Sequence, residues 1–357
     1  MITISLCMIV KNEENVLERC LDSVLDIVDE INIIDTGSTD NTKVIARKYT
    51  NRLFDFKWVD DFSAARNESF KKATKDYILW MDADDVVSYK DRKKFLDIKQ
   101  HLDNSVDVVS MNYNLAFDEY GNVVFSSRRN RLVKREKNFC WIGEVHEYLN
   151  VYGKIEASDI SITHKSVYHD SDRNLSIYQK LLKEGKKFSP RDNYYFANEL
   201  FDHKMYTKAA VIYEQFLLDN KGWVEDNISS CSKLADCYHE LGYRDKELNS
   251  ILRSFKYDYP RPEFCCRLGY YFLEKNNFNA AILWYKLAAD PSKLVVNSGF
   301  SQPTFSTWLP HLQLCVCYYK IGNNKLAYLH NEVARQYRPN DKNILSNKEF
   351  FESILEK

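Results

Sequence analysis

The chain has 357 residues, 45% of them hydrophobic and 28% charged, and a formal net charge of -1 at pH 7. That length suggests two domains or slightly more, and the near-neutral balance gives no field that favours nucleic acid or an anionic membrane. No apolar run approaches the roughly 20 residues of a membrane-spanning helix, and nine cysteines without zinc-type spacing fit a reduced cytoplasm, with most thiols as small buried groups.

Ile2 to Val10 reads as a buried strand rich in β-branched residues; it has neither the basic segment nor the cleavage site of a signal peptide. After Lys11-Asn12-Glu13-Glu14, residues Val16, Leu17, Cys20, Leu21, Val24 and Leu25 recur at helical spacing. Ile31 to Ile34 is a second strand, ending in Asp35-Thr36-Gly37-Ser38-Thr39-Asp40. Gly37 supplies the turn, and Ser38 or Thr39 can cap a helix that starts near Asn41. Phe54 to Val59 is a third strand, Phe62 to Ala73 a helix, and Tyr77 to Met81 a fourth strand.

The fourth strand runs into Asp82-Ala83-Asp84-Asp85. Carboxylates this close repel unless a cation lies between them, and hard oxygen ligands suit Mg²⁺ or Mn²⁺, ions that commonly bridge phosphate-bearing substrates. A solvated acidic turn is the plainer alternative. A helix follows over about Lys90 to His101, then a strand from Val106 to Leu115 and a hairpin turn at Glu119-Tyr120-Gly121-Asn122. The return strand, Val123 to Val133, carries Arg128, Arg129 and Arg131, which could meet phosphates or simply face water. Gly143-Glu144-Val145-His146-Glu147 then puts two acids and an imidazole together, and Ile160 to His164 alternates like a last strand.

Strand, loop and helix in alternation predict a parallel sheet with right-handed crossovers. Such sheets bind ligands at the carboxyl ends of their strands, which is where Glu13, Asp35, the Asp61 to Asn67 segment and Asp82 to Asp85 fall.

Cys7 to Glu14, Ile34 to Asp40, Ala65-Arg66-Asn67 and Trp80 to Asp85 resemble, in order, the motifs of family 2 glycosyltransferases of GT-A fold. Gly143 to Glu147 and His164 are similar to that family's later acidic motif and late histidine. The resemblance covers about residues 1 to 170 and implies an α/β, Rossmann-like domain with a mostly parallel sheet, over 1–172. It implies a nucleotide-sugar donor (UDP-glucose or UDP-N-acetylglucosamine by family usage), a divalent Mn²⁺ or Mg²⁺, and inversion at the anomeric carbon. Val10, Glu13, Asp35, Arg66, Asp82 and Ala83 would then hold the donor, and Asp84, His164 and Asp82 the metal. The acceptor needs a general base. Glu147 is the first candidate and Glu144 the second; on a strand they would face opposite ways, being three residues apart, and His146 could orient base or acceptor.

Past Arg173 the strand pattern stops. A helical linker is expected over 173–190 and an all-α repeat domain over 191–357. Ala209, Ala281 and Ala327 each follow a small residue (Ala197, Gly269, Cys315) by twelve positions. Tyr213, Tyr285 and Asn331 come four residues later, and Phe216, Ala288 and Ala334 seven later. Pro291 and Pro339 close two units, a weaker unit spans Leu234 to Phe255, and an insert is expected at Lys293 to Thr307. The spacing resembles tetratricopeptide repeats, about 34 residues each. A GT-A domain joined to such repeats resembles bacterial peptide and protein glycosyltransferases, including the S-glycosyltransferases of glycopeptide bacteriocins, which dimerise through the repeats. That pairing implies a cytoplasmic enzyme acting on a Ser, Thr or Cys side chain of a peptide or protein, with a homodimer as its form. An acceptor in an envelope glycan or lipid-linked saccharide, or a catalytically silent scaffold, are the alternatives.

Overall fold

The computed structural model describes residues 1–167, 172–290 and 300–355. The chain divides into two compact units. The first comprises Met1–Ala116 and Ser126–Lys187; the second comprises Phe117–Phe125 and the chain from Phe188 onward.

The first unit is built on a mixed, mostly parallel sheet. Strands β1 (Ile4–Val10), β2 (Glu30–Asp35), β3 (Leu53–Asp55) and β4 (Tyr77–Trp80) are mutually parallel, in the order β3-β2-β1-β4. Helices α1 (Leu17–Asp22), α2 (Thr42–Tyr49) and α3 (Phe62–Lys71) connect them. All four residues of β4 are buried, as a strand covered on both faces requires. Two apolar layers enclose the sheet: Ile4, Leu6, Met8, Leu17 and Phe95 in one, and Cys7, Ile78, Trp80 and Trp141 in the other.

Beyond β4 the order continues β7-β6-β10-β5, with β5 at Asp85–Val87, helix α4 at Tyr89–His101, β6 at Val108–Phe117, β7 at Val123–Lys134 and β10 at Ile155–His164. β7 runs antiparallel to β4, and β5 antiparallel to β10. The short strands β8 (Cys140–Ile142) and β9 (Tyr148–Asn150) form a separate ribbon.

Three local expectations change. The third strand stops at Asp55 rather than Val59, with Phe56 N–H donating to Asp35 O at 2.8 Å as a rung of its ladder with β2. The acidic tetrapeptide is not only a loop, since Asp85 opens β5. Gly143 to Glu147 is a turn between β8 and β9, with left-handed φ at Gly143 (105°) and His146 (51°), so strand alternation does not govern its two glutamates. The first unit also takes in helix α5 (Asp172–Lys183).

Glu30, at the start of β2, gathers donors from Ser5 Oγ, Asn32 Nδ2, Thr74 N and Thr74 Oγ1 at 2.5–3.0 Å. Burial alone would raise its pKa, but these hydrogen bonds outweigh burial and hold it down at about 2. A carboxylate depressed in the folded state adds stability above its unfolded pKa and loses it as pH falls through the folded one. Acid unfolding is therefore expected to take up a proton at Glu30 between about pH 4.5 and 2. Glu30→Gln should flatten that limb of the stability curve by about 2 kcal/mol between pH 7 and pH 3, read from urea melts at the two values.

The second unit is a series of helix pairs: α6 (Pro190–Asp202) with α7 (Tyr206–Asp219), α8 (Val224–Glu240) with α9 (Arg244–Arg253), α10 (Pro262–Glu274) with α11 (Phe278–Ala288), and α12 (Trp308–Lys320) with α13 (Asn324–Tyr337). Helix α14 (Lys342–Leu355) packs on α13. Ala197, Ala209, Ala281, Cys315 and Ala327 are all buried, as are Tyr213, Tyr285 and Asn331. Pro339 follows α13; Pro291 and part of the insert expected at Lys293 to Thr307 lie outside the described residues. A Cβ at Gly269 would meet the Tyr285 ring at 2.6 Å, so this glycine sets the approach of α10 to α11. Gly269→Val is expected to cost about 1–3 kcal/mol through overpacking, measured as a lower urea midpoint with an unchanged slope.

The second unit also holds Asp118, which is buried and accepts from Arg338 Nη2 at 2.9 Å. The Arg338 guanidinium lies 3.7 Å from the Trp308 ring centroid.

No helix among the described residues is long and apolar enough to cross a membrane. Eight of the nine cysteines are buried and free; Cys140 is exposed.

Candidate active site

Each of the three aspartates after β4 is matched to its own cation. Asp82 Oδ1 accepts from Arg66 Nη2 at 2.6 Å. Asp84 Oδ1 lies 3.2 Å from His164 Nδ1. Asp85 Oδ2 lies 3.0 Å from Arg131 Nη1 and also accepts the Asp82 N–H at 3.0 Å. The turn brings the carboxylates close, and these counter-charges offset their repulsion.

Helix α3 begins at Asp61, whose side chain caps the Ala64 N–H at 3.0 Å, and it carries Arg66 one turn later. The Arg66 guanidinium lies 5.1 Å from the Trp80 ring centroid and 4.8 Å from that of Trp141. Its Nε donates to Glu147 Oε1. Arg66 therefore joins Asp82 after β4 to Glu147 in the β8–β9 turn. Burial works against the charge on Asp82, but Arg66 and Arg131 outweigh it and hold the carboxyl below its usual range.

His164 closes β10, where it pairs in register with Asp85 of β5. The Asp84 and Asp85 carboxylates, whose Oδ1 atoms lie 3.2 and 3.7 Å from Nδ1, push its pKa up to about 10, and a cation ligated by this imidazole would displace its proton. Tyr113 Oη lies 3.0 Å from the same Nδ1.

The other expected residues spread around this centre. Val10 and Ala83 are buried at the ends of β1 and β4. Asp35 is buried as well; its Oδ1 accepts the Gly37 and Ser38 N–H groups at 3.0 Å, so it braces the loop after β2. Glu13 N–H donates to Thr42 Oγ1 at 2.7 Å. Burial first, then the charges of Asp84 and Asp82, push the Glu13 carboxyl up to about 7, against the opposing pull of Arg173. Glu144 pairs with Lys186, and its backbone carbonyl accepts the Phe62 N–H at 2.9 Å. His146 stacks on Tyr178 of α5, with ring centroids 6.5 Å apart. The two glutamates thus have different partners.

A divalent cation fits the residues present. Asp84, Asp85 and His164 offer ligand atoms that lie within 4.8 Å of one another, and Asp85 Oδ1 is buried without a hydrogen bond. Two carboxylate oxygens and an imidazole nitrogen suit Mn²⁺. The group pairs the expected Asp84 and His164 with Asp85, while Asp82 is engaged by Arg66.

Sequence reasoning passed over Tyr113, named Asp85 only as part of the acidic tetrapeptide, and left Arg131 between phosphate contact and solvent. The signal for Arg131 was its setting: it precedes Leu132-Val133 on a strand, where an arginine among apolar neighbours points inward. Arg128 does not face water either; it donates to Ser110 O and Ser158 O at 2.9 and 2.7 Å.

Residues 5–155 match the Glycosyl transferase family 2 profile. Over 213 residues the chain is 29% identical to the SPbeta prophage-derived glycosyltransferase SunS of Bacillus subtilis, a stretch spanning 56% of this chain and 49% of that protein. Over 85 residues it is 52% identical to a TPR repeat-containing protein of Synechococcus elongatus, spanning 24% of this chain and 21% of that protein. An uncharacterized glycosyltransferase of Rickettsia typhi is 24% identical over 250 residues, spanning 63% of this chain and 82% of that protein. The chain thus spans about half and about a fifth of the length of the first two relatives named, respectively. The match to that profile lies within the first unit, whose sheet is GT-A-like, and tetratricopeptide-like helix pairs follow it.

Proposed function

We propose that this protein is a metal-dependent, inverting glycosyltransferase that moves a sugar from a UDP-linked donor to a Ser, Thr or Cys side chain of a peptide or protein. The observation that carries the reading is the Asp82–Arg66–Glu147 chain beside the Asp84–His164 pair. It joins Asp82, just after β4, to Glu147 in the β8–β9 turn through one guanidinium.

Asp84, Asp85 and His164 would hold Mn²⁺ or Mg²⁺. Bound there, the ion supplies charge stabilisation to a departing diphosphate. Val10 and Asp35 shape the floor on which a nucleoside rests, as the last residues of β1 and β2. Glu147 takes the acceptor's proton while the acceptor oxygen or sulfur bonds to the anomeric carbon; the bond from that carbon to the diphosphate breaks, and the diphosphate keeps the electron pair. Arg66 fixes the position of Glu147, and the Trp80 and Trp141 rings hold Arg66 in turn.

A thermal-shift panel of nucleotide-sugars, with and without Mn²⁺, tests the reading. A UDP-sugar is expected to raise the melting temperature only when Mn²⁺ is present, because a ligand bound to the native state alone stabilises it. No shift with any nucleotide-sugar would remove the enzyme reading; label from donor appearing in lipid rather than protein would move the acceptor.

A further inference from the structure

We infer that Arg131 is a positioning residue that sets the Asp84–Asp85–His164 cluster for cation binding. The inference rests on the metal-dependent reading above. Arg131 on β7 has no exposed surface, so it touches neither solvent nor substrate. Its Nη1 reaches Asp85 Oδ2 at 3.0 Å and Trp80 O at 3.1 Å. The guanidinium lies 3.8 Å from the Trp80 ring centroid and 4.4 Å from that of Tyr113. Its Nε and Nη2 are buried without a hydrogen-bond partner.

Stability alone is a poor reason to keep such a group. A buried ion pair often gains nothing over apolar side chains of similar volume, and two unmet donors worsen the balance. What Arg131 does touch is specific. Asp85 stands opposite His164 across the β5–β10 pairing, with Oδ1 3.7 Å from Nδ1. Tyr113, the other ring face, puts its hydroxyl 3.0 Å from that same nitrogen. Arg131 therefore grips two of the three side chains that flank His164, Asp85 and Tyr113. By binding Asp85 Oδ2 it leaves Oδ1 turned toward the imidazole, and with Asp84 that completes the ligand group.

The test uses full-length Arg131→Lys and Arg131→Met with Mn²⁺ alone, counting free ion by electron paramagnetic resonance and checking folding by circular dichroism. Lysine keeps the charge but cannot stack as a planar fork; methionine fills the volume without charge. Mn²⁺ affinity is expected to fall about 10-fold or more in either folded variant, the usual loss for a group that orients metal ligands. A merely structural arginine would lower the melting temperature and leave Mn²⁺ affinity in place. A smaller shift in both folded variants, beside normal binding by the unaltered protein, overturns this inference alone. Failure of both variants to fold overturns it too, since Arg131 would then be a fold residue. An unaltered protein that binds no Mn²⁺ overturns the metal-dependent reading and this inference with it.

Discussion

Asp84→Ala is expected to lower sugar transfer by roughly 10²-fold or more and to abolish the Mn²⁺-dependent stabilisation by nucleotide. Of the three aspartates after β4, Asp84 is engaged neither by Arg66 nor by Arg131. Its removal leaves His164 with Asp85 and takes one oxygen from the ligand group, so both readouts should fail together. Asp82→Ala should behave differently. It frees one arm of Arg66 and loosens Glu147, so catalysis should suffer while Mn²⁺ alone still binds. Turnover with labelled donor and a Mn²⁺ titration separate the two. Near-normal turnover in Asp84→Ala would take this residue out of the mechanism.

The second large effect is expected at Glu147. Glu147→Gln keeps the shape and an oxygen for Arg66 Nε, so the local packing should hold. What it loses is the capacity to take a proton, and a loss of about 10²-fold or more is typical of such a group. The size of the loss should depend on the acceptor. A hydroxyl acceptor needs that base throughout, whereas a thiol is already a few per cent thiolate near neutral pH. Rates with paired Ser and Cys acceptor peptides should therefore diverge in Glu147→Gln, with Cys the less affected. Equal rates for Glu147→Gln and the unaltered protein on a Ser peptide would point to Glu144 instead.

The first unit's central strands were legible because apolar runs end at polar clusters, as in Ile4–Val10 before Asn12 and Tyr77–Trp80 before Asp82. The repeats were legible because small residues recur at the buried positions Ala209, Ala281 and Ala327. Periodicity could not show that β7 enters the sheet antiparallel beside β4, since pairing is a long-range choice. It also missed β5, three residues that begin inside an acidic cluster. At the site, motif order pointed to Asp84 and His164, which do lie side by side. It could not say that Asp82 would turn to Arg66 while Asp85 turned inward, because that depends on two arginines from α3 and β7. Nor could it place Glu147 against Arg66, 81 positions away in the chain, because a turn with a left-handed histidine carries it there.

The hairpin tip has a practical consequence for anyone who dissects the molecule. Residues 117–125 belong to the second compact unit although the chain reaches them midway through the first. A gene truncated after Lys187 would still encode Asp118 but delete Arg338 and Trp308, stranding a buried acid and its neighbours in water. Modular swaps of catalytic and repeat halves thus need two junctions, one of them at the hairpin, and a single-cut chimera should be the less soluble product.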